Sequence, residues 1–225
     1  MPSGNKSKLI NDPLHGFVTL PSALVYDVVQ HPYFQRLRRI RQLGMSEWVY
    51  PGATHTRFHH ALGAMNLMVK ALDTLRGKGV EITEEEKEAA ILGILMHDIG
   101  HGPYSHTLEY TLAQGVNHED ISIMLMERMN IEFGGALRLA IDIFRGDYHK
   151  KPFLHQLISG ELDMDRLDYL MRDSFYTGVS EGIVGVDRLI HMLNVKDGDL
   201  VVEEKGIYSV EKFLVARRLM YWQVY

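Results

Sequence analysis

Apolar residues recur at intervals of three and four along most of the chain, a period that is typical of amphipathic helices. The clearest case is TEEEKEAAILGILMHDIG, in which Thr83 and Glu86 have capping-box spacing and glycines follow the apolar run. This segment predicts a helix over about residues 84–99. The same reasoning predicts helices over residues 59–79, 118–130, 154–173 and 209–225.

Strand signals are limited to two short segments. Residues 16–20 (GFVTL) look like a β-strand, and residues 200–210 (LVVEEKGIYSV) look like strands that turn at Lys205 and Gly206. We therefore expect a mainly α-helical bundle with short β-hairpins at its periphery. No internal repeat, low-complexity tract or linker interrupts the sequence, so residues 1–225 are predicted to form a single domain.

Composition narrows the classes of function. The chain has 225 residues, of which 46% are hydrophobic and 24% charged, and its formal net charge is −5. This charge provides no general attraction to nucleic acid or to an anionic membrane, so neither is expected as a partner. The absence of cysteine excludes disulfides, thiolate metal ligands and a cysteine nucleophile. The sequence contains neither an export signal nor a long apolar run, so we expect a cytoplasmic protein.

Three histidines and one aspartate lie within residues 97–106, HDIGHGPYSH. His97 and Asp98 fall at the end of a helix predicted to be buried, where an unpaired charge is unfavourable. Together with His60 and Asp165, they would form a mixed set of nitrogen and oxygen ligands. Such a set suits Mn, Fe, Co, Ni or Zn, and Mg less well. The alternative is that each side chain is a core or cap residue with its own partner.

The blocks RFHH, HDIGH and DMDRLDYLMRD resemble the H…HD…D signature of the HD-domain metal-dependent phosphohydrolases. The longer blocks INDPLHGFVTL, FQRLRRIRQLG, YPGATHTRFHHALG and HDIGHGPYSH are similar to one branch of that family. This branch contains the deoxynucleoside triphosphate triphosphohydrolases, both the bacterial dGTPase-like enzymes and the sterile-alpha-motif/HD protein of animals. The resemblance implies an HD-domain helical bundle that uses a divalent metal ion to hydrolyse deoxynucleoside triphosphates to deoxynucleoside and inorganic triphosphate.

The resemblance also implies a role for each matching residue. The positions of the metal ligands are His60, His97, Asp98 and Asp165. The positions that hold phosphate are Arg57 and Arg166, the second of which is a lysine in the animal enzyme. The catalytic group is His101, His106, Glu109 and His118. One of these histidines would protonate the leaving 5′-oxygen, and Glu109 would pair with one of them. His118 has an alternative interpretation as a helix cap, because NHED is typical of a helix start.

Two predicted helices carry regularly spaced polar and aromatic residues that are candidates for contacts with the sugar and the base of a nucleotide. Asp165, Tyr169 and Asp173 recur at four-residue intervals and therefore share one helical face. In the family, the matching tyrosine packs on the deoxyribose and disfavours a 2′-hydroxyl. The positions that contact the sugar edge are Asp173, Gln42 and Leu43. Arg217, Tyr221 and Tyr225 have the same four-residue spacing. They resemble the family's arginine and aromatic positions that line the triphosphate and the base. The alternative for Tyr169 is a core tyrosine beside a solvated Asp173.

Two features depart from the family pattern. The amphipathic pattern runs to Tyr225 without a stop signal, whereas family members continue into a further helical lobe, so we expect that lobe to be lacking here. The resemblance implies a homo-oligomer, a dimer or tetramer, with an activating nucleotide between subunits. Matching residues for that nucleotide are Lys8, Asn11, Gln35 and Arg38. The guanine-reading aspartate falls at Gln30, so a guanine-specific activator is not supported. The alternative for the basic cluster is a solvated face formed by Arg36, Arg38, Arg39 and Arg41.

Three functions remain open on sequence alone. The first is a deoxynucleoside triphosphate triphosphohydrolase, which three arginines at polyphosphate-binding positions favour. The second is another HD phosphohydrolase that acts on nucleoside monophosphates or cyclic nucleotides. The third is a non-catalytic nucleotide-binding regulatory module, which the intact ligand set and the histidine and glutamate pair argue against.

Overall fold

The structure is a computed structural model that describes residues 8–104, 115 and 117–225. Its strands are β1 Lys8–Asp12, β2 Gly16–Leu20, β3 Leu193–Lys196 and β4 Asp199–Val202. Its α-helices are α1 Ala23–Gln30, α2 Pro32–Gln35, α3 Arg57–Gly77, α4 Glu84–Met96, α5 His118–Glu132, α6 Arg138–Arg145, α7 Pro152–Gln156, α8 Met164–Thr177, α9 Val186–Met192 and α10 Ile207–Gln223. Short 3-10 turns lie at Arg36–Arg39, Ser46–Trp48, Ser180–Gly182 and Glu204–Gly206. The fold is mainly α with two small antiparallel hairpins, as the sequence predicts.

Helix α3 is the centre of the core and packs against both α4 and α8. Most of its residues are buried, including polar ones at its first turn. Gly63 allows α8 to approach closely, because a Cβ there would lie 2.0 Å from the carboxylate of Asp168. Helix α6 covers the opposite side of α4. This arrangement places the start of α3, the end of α4 and the first turn of α8 at one end of the core.

Local signals in the sequence predict the ends of several helices. The capping box of α4 is confirmed: the Thr83 amide donates to the Glu86 carboxylate at 2.8 Å, and the Glu86 amide donates to the Thr83 hydroxyl at 3.1 Å. Asn117 caps α5 by accepting from the Asp120 amide at 2.7 Å, so His118 is the first helical residue and not the cap.

The prediction of one helix over residues 154–173 is wrong. The chain forms α7, leaves the helical conformation around Gly160, and restarts at α8. The physical reason is a local cap, because the Asp163 carboxylate accepts from the Gly160 amide at 2.9 Å and from the Arg166 amide at 2.7 Å. Asp163 therefore begins a new helix rather than continuing the previous one.

The prediction of a hairpin turning at Lys205 and Gly206 is also wrong. Strand β4 pairs with β3, and the turn between them is formed by Asp197 and Gly198, both with positive φ. An Asp-Gly pair favours this tight hairpin turn. Residues 204–206 instead form a 3-10 turn that leads directly into α10. Within the described part of the chain, no helix combines the length and apolar character that a membrane crossing requires.

Candidate functional site

The HD dipeptide lies at the end of α4, where the helix stops and the chain turns. His97 follows the last helical residue, and its Nδ1 lies 2.6 Å from the Ile94 carbonyl oxygen. Because that contact requires a proton on Nδ1, it leaves Nε2 as the atom available to a ligand. The local helix geometry therefore orients the imidazole toward the first turns of α3 and α8.

Three of the predicted ligands converge at this point. His60 Nε2 lies 2.9 Å from Asp165 Oδ1 and 3.2 Å from His97 Nε2. The candidate ligand atoms of His60, His97 and Asp165 all lie within 4.8 Å of one another. His60 is fully buried, whereas Asp165 is about one-third exposed and faces the cavity described below. These residues come from α3, from α8 and from the position directly after α4, so the cluster could form a metal site.

Asp98, the fourth predicted ligand, lies beside this cluster. Its Oδ1 is 3.4 Å from His97 Nε2 and its Oδ2 is 3.9 Å from His60 Nε2. The same carboxylate is paired with Arg57 Nη1 at 2.5 Å and with His101 Nε2 at 3.1 Å. Although burial opposes ionisation, Arg57 and the adjacent histidines hold the pKa of Asp98 well below its usual range.

The charges around the cluster are unbalanced. Four carboxylates lie at the cluster or directly behind it, those of Asp12, Asp98, Asp165 and Asp168. The guanidinium groups that pair with them are Arg57 and Arg172. Counted with neutral histidines, these four carboxylates and two guanidinium groups have a net charge of −2, which a divalent cation or protonated histidines would balance. Burial lowers the pKa of His60, but hydrogen bonds to Asp165 and Asp168 overcome this effect and raise it to about 10. The site therefore favours added positive charge.

A buried network behind His60 was not identified from the sequence. His60 Nδ1 lies 2.9 Å from Asp168 Oδ2, and Asp168 also accepts from Arg172 and from His15 Nε2. Arg172 in turn donates to Asp12 at 2.8 Å. The only sequence signal was the i, i+4 spacing of Asp168 and Arg172, together with the NDPLHG block that supplies the other two residues.

The first turn of α5 brings His118 to the site. The Ser122 hydroxyl donates to the His97 carbonyl and accepts from the Gly100 amide, both at 2.9 Å. Gly100 permits this contact, because a Cβ there would lie 2.2 Å from the His118 carbonyl oxygen. As a result the rings of His101 and His118 stack with centroids 3.9 Å apart. Burial lowers the pKa of His101 to about 4, which keeps its ring neutral near pH 7.

A cavity of about 530 Å³ opens directly onto this cluster. Among the described residues, every one that lines the cavity is a candidate site residue of the sequence analysis. They are Gln42, Leu43, Arg57, Asp98, His101, His118, Asp165, Arg166, Tyr169, Asp173, Tyr221 and Tyr225. His60 and His97 lie behind this wall. The residues assigned to metal, phosphate, acid and sugar thus surround one space.

The far wall of the cavity is built around Asp173. This residue is almost fully buried, so the alternative of a solvated aspartate is wrong. Its two oxygens accept from His55 Nε2 and from the Tyr225 hydroxyl, each at 2.7 Å. Burial and the adjacent Asp173 raise the pKa of Tyr225 above its usual range. Tyr169 is half-buried beside Tyr225, with ring centroids 6.0 Å apart.

Some predicted residues are not brought into the cavity. Arg217 lies 3.6 Å from the exposed Glu161 and does not line the cavity, so its contact with substrate stays a prediction. His106 and Glu109 lie outside the described residues.

The basic cluster divides into separate roles. Arg36 donates to the carbonyl oxygens of Ile99 and His101, so it supports the HD turn and is not simply solvated. Arg38 stacks over the Phe58 ring, 3.6 Å from its centroid. These contacts give two of the arginines a structural role.

Sequence comparisons agree with this geometry. The profile of the HD domain matches residues 57–173, and that of an HD associated region matches residues 184–225. The crystal structure of a phosphohydrolase from Bacteroides thetaiotaomicron matches with a TM-score of 0.95 and 62% sequence identity, covering 98% of this chain and 54% of that chain.

Curated relatives give the same result. An uncharacterized Bacillus subtilis protein, YwfO, is 35% identical over 100% of this chain and 53% of its own length. A Dictyostelium discoideum protein named deoxynucleoside triphosphate triphosphohydrolase SAMHD1 homolog is 31% identical over 99% of this chain and 46% of its own length. The chain thus spans about half the length of these relatives. With the HD turn, the clustered histidines and aspartates, and these matches, the chain belongs to the HD-domain phosphohydrolase family, in its SAMHD1-like branch.

Proposed function

We propose that this chain provides the catalytic domain of a metal-dependent deoxynucleoside triphosphate triphosphohydrolase. The single observation that carries the proposal is the cavity of about 530 Å³, because Asp98 and Asp165 of the metal cluster, two histidines and the wall around Asp173 all line it. A volume of this size lies within the range of small-molecule sites. The name of the Dictyostelium relative supports the same substrate class.

A divalent ion would be held by His60, His97, Asp98 and Asp165, and the uncompensated negative charge supports this assignment. When bound, such an ion supplies a Lewis acid beside the phosphate. Nitrogen and carboxylate donors fit a first-row divalent metal, and cellular availability decides among such metals as much as affinity does.

The phosphates would lie against Arg57 and Arg166. Arg57 already faces Asp98 in the cavity wall, and Arg166 is held by Asp163 and the Gly160 carbonyl. Guanidinium groups bind phosphate oxygens in a planar, bidentate geometry. In the proposed reaction, the water oxygen bonds to the α-phosphorus, and the bond from that phosphorus to the 5′-oxygen breaks. A protonated histidine gives its proton to the 5′-oxygen, and the proton that the water releases restores the histidine.

The sugar would lie against Tyr169, Gln42 and Asp173. The side-chain oxygen of Gln42 is buried and has no hydrogen-bond partner among the described residues. A buried acceptor without a donor is unfavourable, and a sugar hydroxyl would satisfy it. Tyr169 would pack against the sugar face and leave little room for a 2′-hydroxyl.

One experiment tests the proposal against its alternatives. The protein is incubated with each dNTP and NTP in Mn²⁺, Mg²⁺ or Fe²⁺, and nucleoside, phosphate, pyrophosphate and triphosphate are resolved. We expect deoxynucleoside and intact triphosphate as the first products. Orthophosphate or pyrophosphate as the first product would indicate a different scissile bond and favour another HD phosphohydrolase. Binding without turnover would favour a regulatory module.

The acid is tested by substitution. His118→Ala and His106→Ala should each still bind metal and nucleotide. The variant that lacks the histidine that donates the proton should turn over about 10²–10⁴-fold more slowly. Wild-type turnover in both variants would exclude these histidines as proton donors.

A further inference from the structure

The turn between β1 and β2 is linked to the metal cluster through Asp168, although the turn is distant in sequence from the residues of the cluster. Asp12 ends β1, and its Oδ1 accepts from the amides of Leu14 and His15, both at 2.9 Å. This small turn presents the His15 ring to α8, where Nε2 lies 2.5 Å from Asp168 Oδ1. The His15 side chain is 4% exposed and that of Asp168 is fully buried. The contact is therefore part of the interior.

Asp168 is a saturated carboxylate. Its two oxygens receive N–H groups from His60, His15 and two nitrogens of Arg172, at 2.5–3.0 Å. An ionised carboxylate offers about four acceptor positions, so none is left over. Arg172 is neutralised in turn by Asp12 at 2.8 Å. The carboxylate therefore has a single orientation, and every group that fixes it is buried.

A histidine that binds a metal normally donates its other N–H to a carboxylate, which fixes the ring and increases its basicity. His60 has this arrangement, because Nδ1 faces Asp168 while Nε2 faces Asp165 and His97. We propose that Asp12 and His15 of the β1–β2 turn are positioning residues of the metal centre, acting on His60 through Asp168. This inference rests on the metal site of the proposed function, and neither residue is expected to touch metal or substrate.

The geometry assigns separate tasks to the two residues. His15 supplies the donor that holds Asp168 Oδ1 from outside α3 and α8. Asp12 places His15 through the turn and balances Arg172 on the other side. Without the His15 donor, Asp168 Oδ1 keeps only its contact with Arg172 Nη2, so the carboxylate holds the His60 ring less firmly.

The test measures binding of Mn²⁺ alone, by the electron paramagnetic resonance signal of the free ion, with no nucleotide present. His15→Leu removes the donor, and the cavity of about 400 Å³ that His15 lines leaves room for the new side chain. We expect affinity for Mn²⁺ to fall about 10–100-fold, as is typical when an outer partner of a ligand is lost. His15→Gln keeps an N–H donor and should restore most of the affinity.

Val18→Ala is the matched control, because Val18 is a fully buried residue of β2 whose apolar side chain cannot donate a hydrogen bond to Asp168. It should lower the melting temperature while leaving affinity for Mn²⁺ unchanged. If His15→Leu does not fold, Asp12→Asn is measured in its place. The asparagine side chain still offers an oxygen to the amides of the turn, but it lacks the negative charge that faces Arg172. We expect this variant to bind Mn²⁺ about tenfold more weakly.

The outcomes separate this inference from the proposed function. Affinity in His15→Leu and Asp12→Asn equal to that of the unmodified protein would overturn the positioning role and leave the metal site standing. A loss in Val18→Ala as large as in His15→Leu would show a general effect of hairpin stability and would also overturn it. An unmodified protein that binds no Mn²⁺ would overturn the metal site itself.

Discussion

Helices α8 and α10 carry the same spacing of polar and aromatic residues but contribute differently to the cavity. On α8, Asp165, Tyr169 and Asp173 all line it. The matching set is Arg217 and Tyr221 of α10 with Tyr225, which lies two residues beyond the end of that helix; of these three, the two tyrosines line the cavity. Four-residue spacing places Asp165, Tyr169 and Asp173 on one face of α8, and Arg217 and Tyr221 on one face of α10. The difference must therefore come from how each helix packs.

The packing of the two helices explains the contrast. Helix α8 lies against α3, where Gly63 allows close approach, and its buried residues include charged groups that are fully paired. Helix α10 is buried only along Phe213, Ala216 and Met220. On its other face Tyr208 and Trp222 are 79% and 82% exposed. Arg217 is partly buried, with 27% of its side chain exposed, and it lies 3.6 Å from the exposed Glu161 instead of lining the cavity.

The largest difference between the helices should be in metal binding. Asp165→Ala removes a ligand from the cluster, so affinity for Mn²⁺ should fall by more than the roughly 10–100-fold expected for an outer partner. Arg217→Ala should leave the affinity unchanged, because that side chain lies toward Glu161. Calorimetric titration of both variants measures the contrast. An equal loss of affinity for Mn²⁺ in both variants would mean that the two helices contribute equally to metal binding.

A second difference concerns the free energy of unfolding. Leu170 on α8 is fully buried, so Leu170→Ala should destabilise the protein by about 2–5 kcal/mol. Trp222→Ala on the exposed face of α10 should change stability by less than about 0.5 kcal/mol. Urea unfolding followed by circular dichroism gives both values. A loss of several kcal/mol in the tryptophan variant would show that this face is covered in solution.

Discrimination between sugars should depend on α8 and not on α10. A packed apolar wall rejects an added hydroxyl by about 100-fold at most, so we expect up to that preference for dGTP over GTP. Tyr169→Ala should narrow the ratio of kcat/KM values, whereas Tyr221→Ala, at a position that is 56% exposed, should not. Equal turnover of dGTP and GTP by the unmodified protein would contradict the role of Tyr169.

The smallest effect is expected at the start of α4, outside both helices. Although burial opposes ionisation, Lys151, Thr83 and Tyr148 lower the pKa of Glu86 to about 2. A depressed carboxyl pKa stabilises the fold above the unfolded value of about 4.5, and this contribution disappears as the pH falls toward about 2.

We therefore expect Glu86→Gln to cost about 1–2 kcal/mol at neutral pH and progressively less in acid. Urea unfolding of both proteins across this pH range measures the change. A difference that stays constant with pH would mean that the ion pair with Lys151 does not contribute.

Several parts of the fold were predictable because their causes are local. The capping box of α4 and the alignment of Asp165, Tyr169 and Asp173 depend only on residues within two turns. The break before α8 was missed although its cause is also local, because Asp163 appeared to be an interior helix position when judged by apolar spacing alone. Pairing of β4 with β3, rather than with the segment after it, depended on recognising Asp197 and Gly198 as the turn.

The sequence by itself determined the residue types of the site, since the HD turn and the family resemblance name each lining residue in the part of the chain that the structure describes. Only the tertiary structure decided which of these residues meet and what holds them. The partnership of Asp12 and Arg172 joins residues 160 positions apart, and that of His15 and Asp168 joins residues 153 positions apart. No local period encodes such contacts, because they form only when burial forces each charge to find a partner within reach.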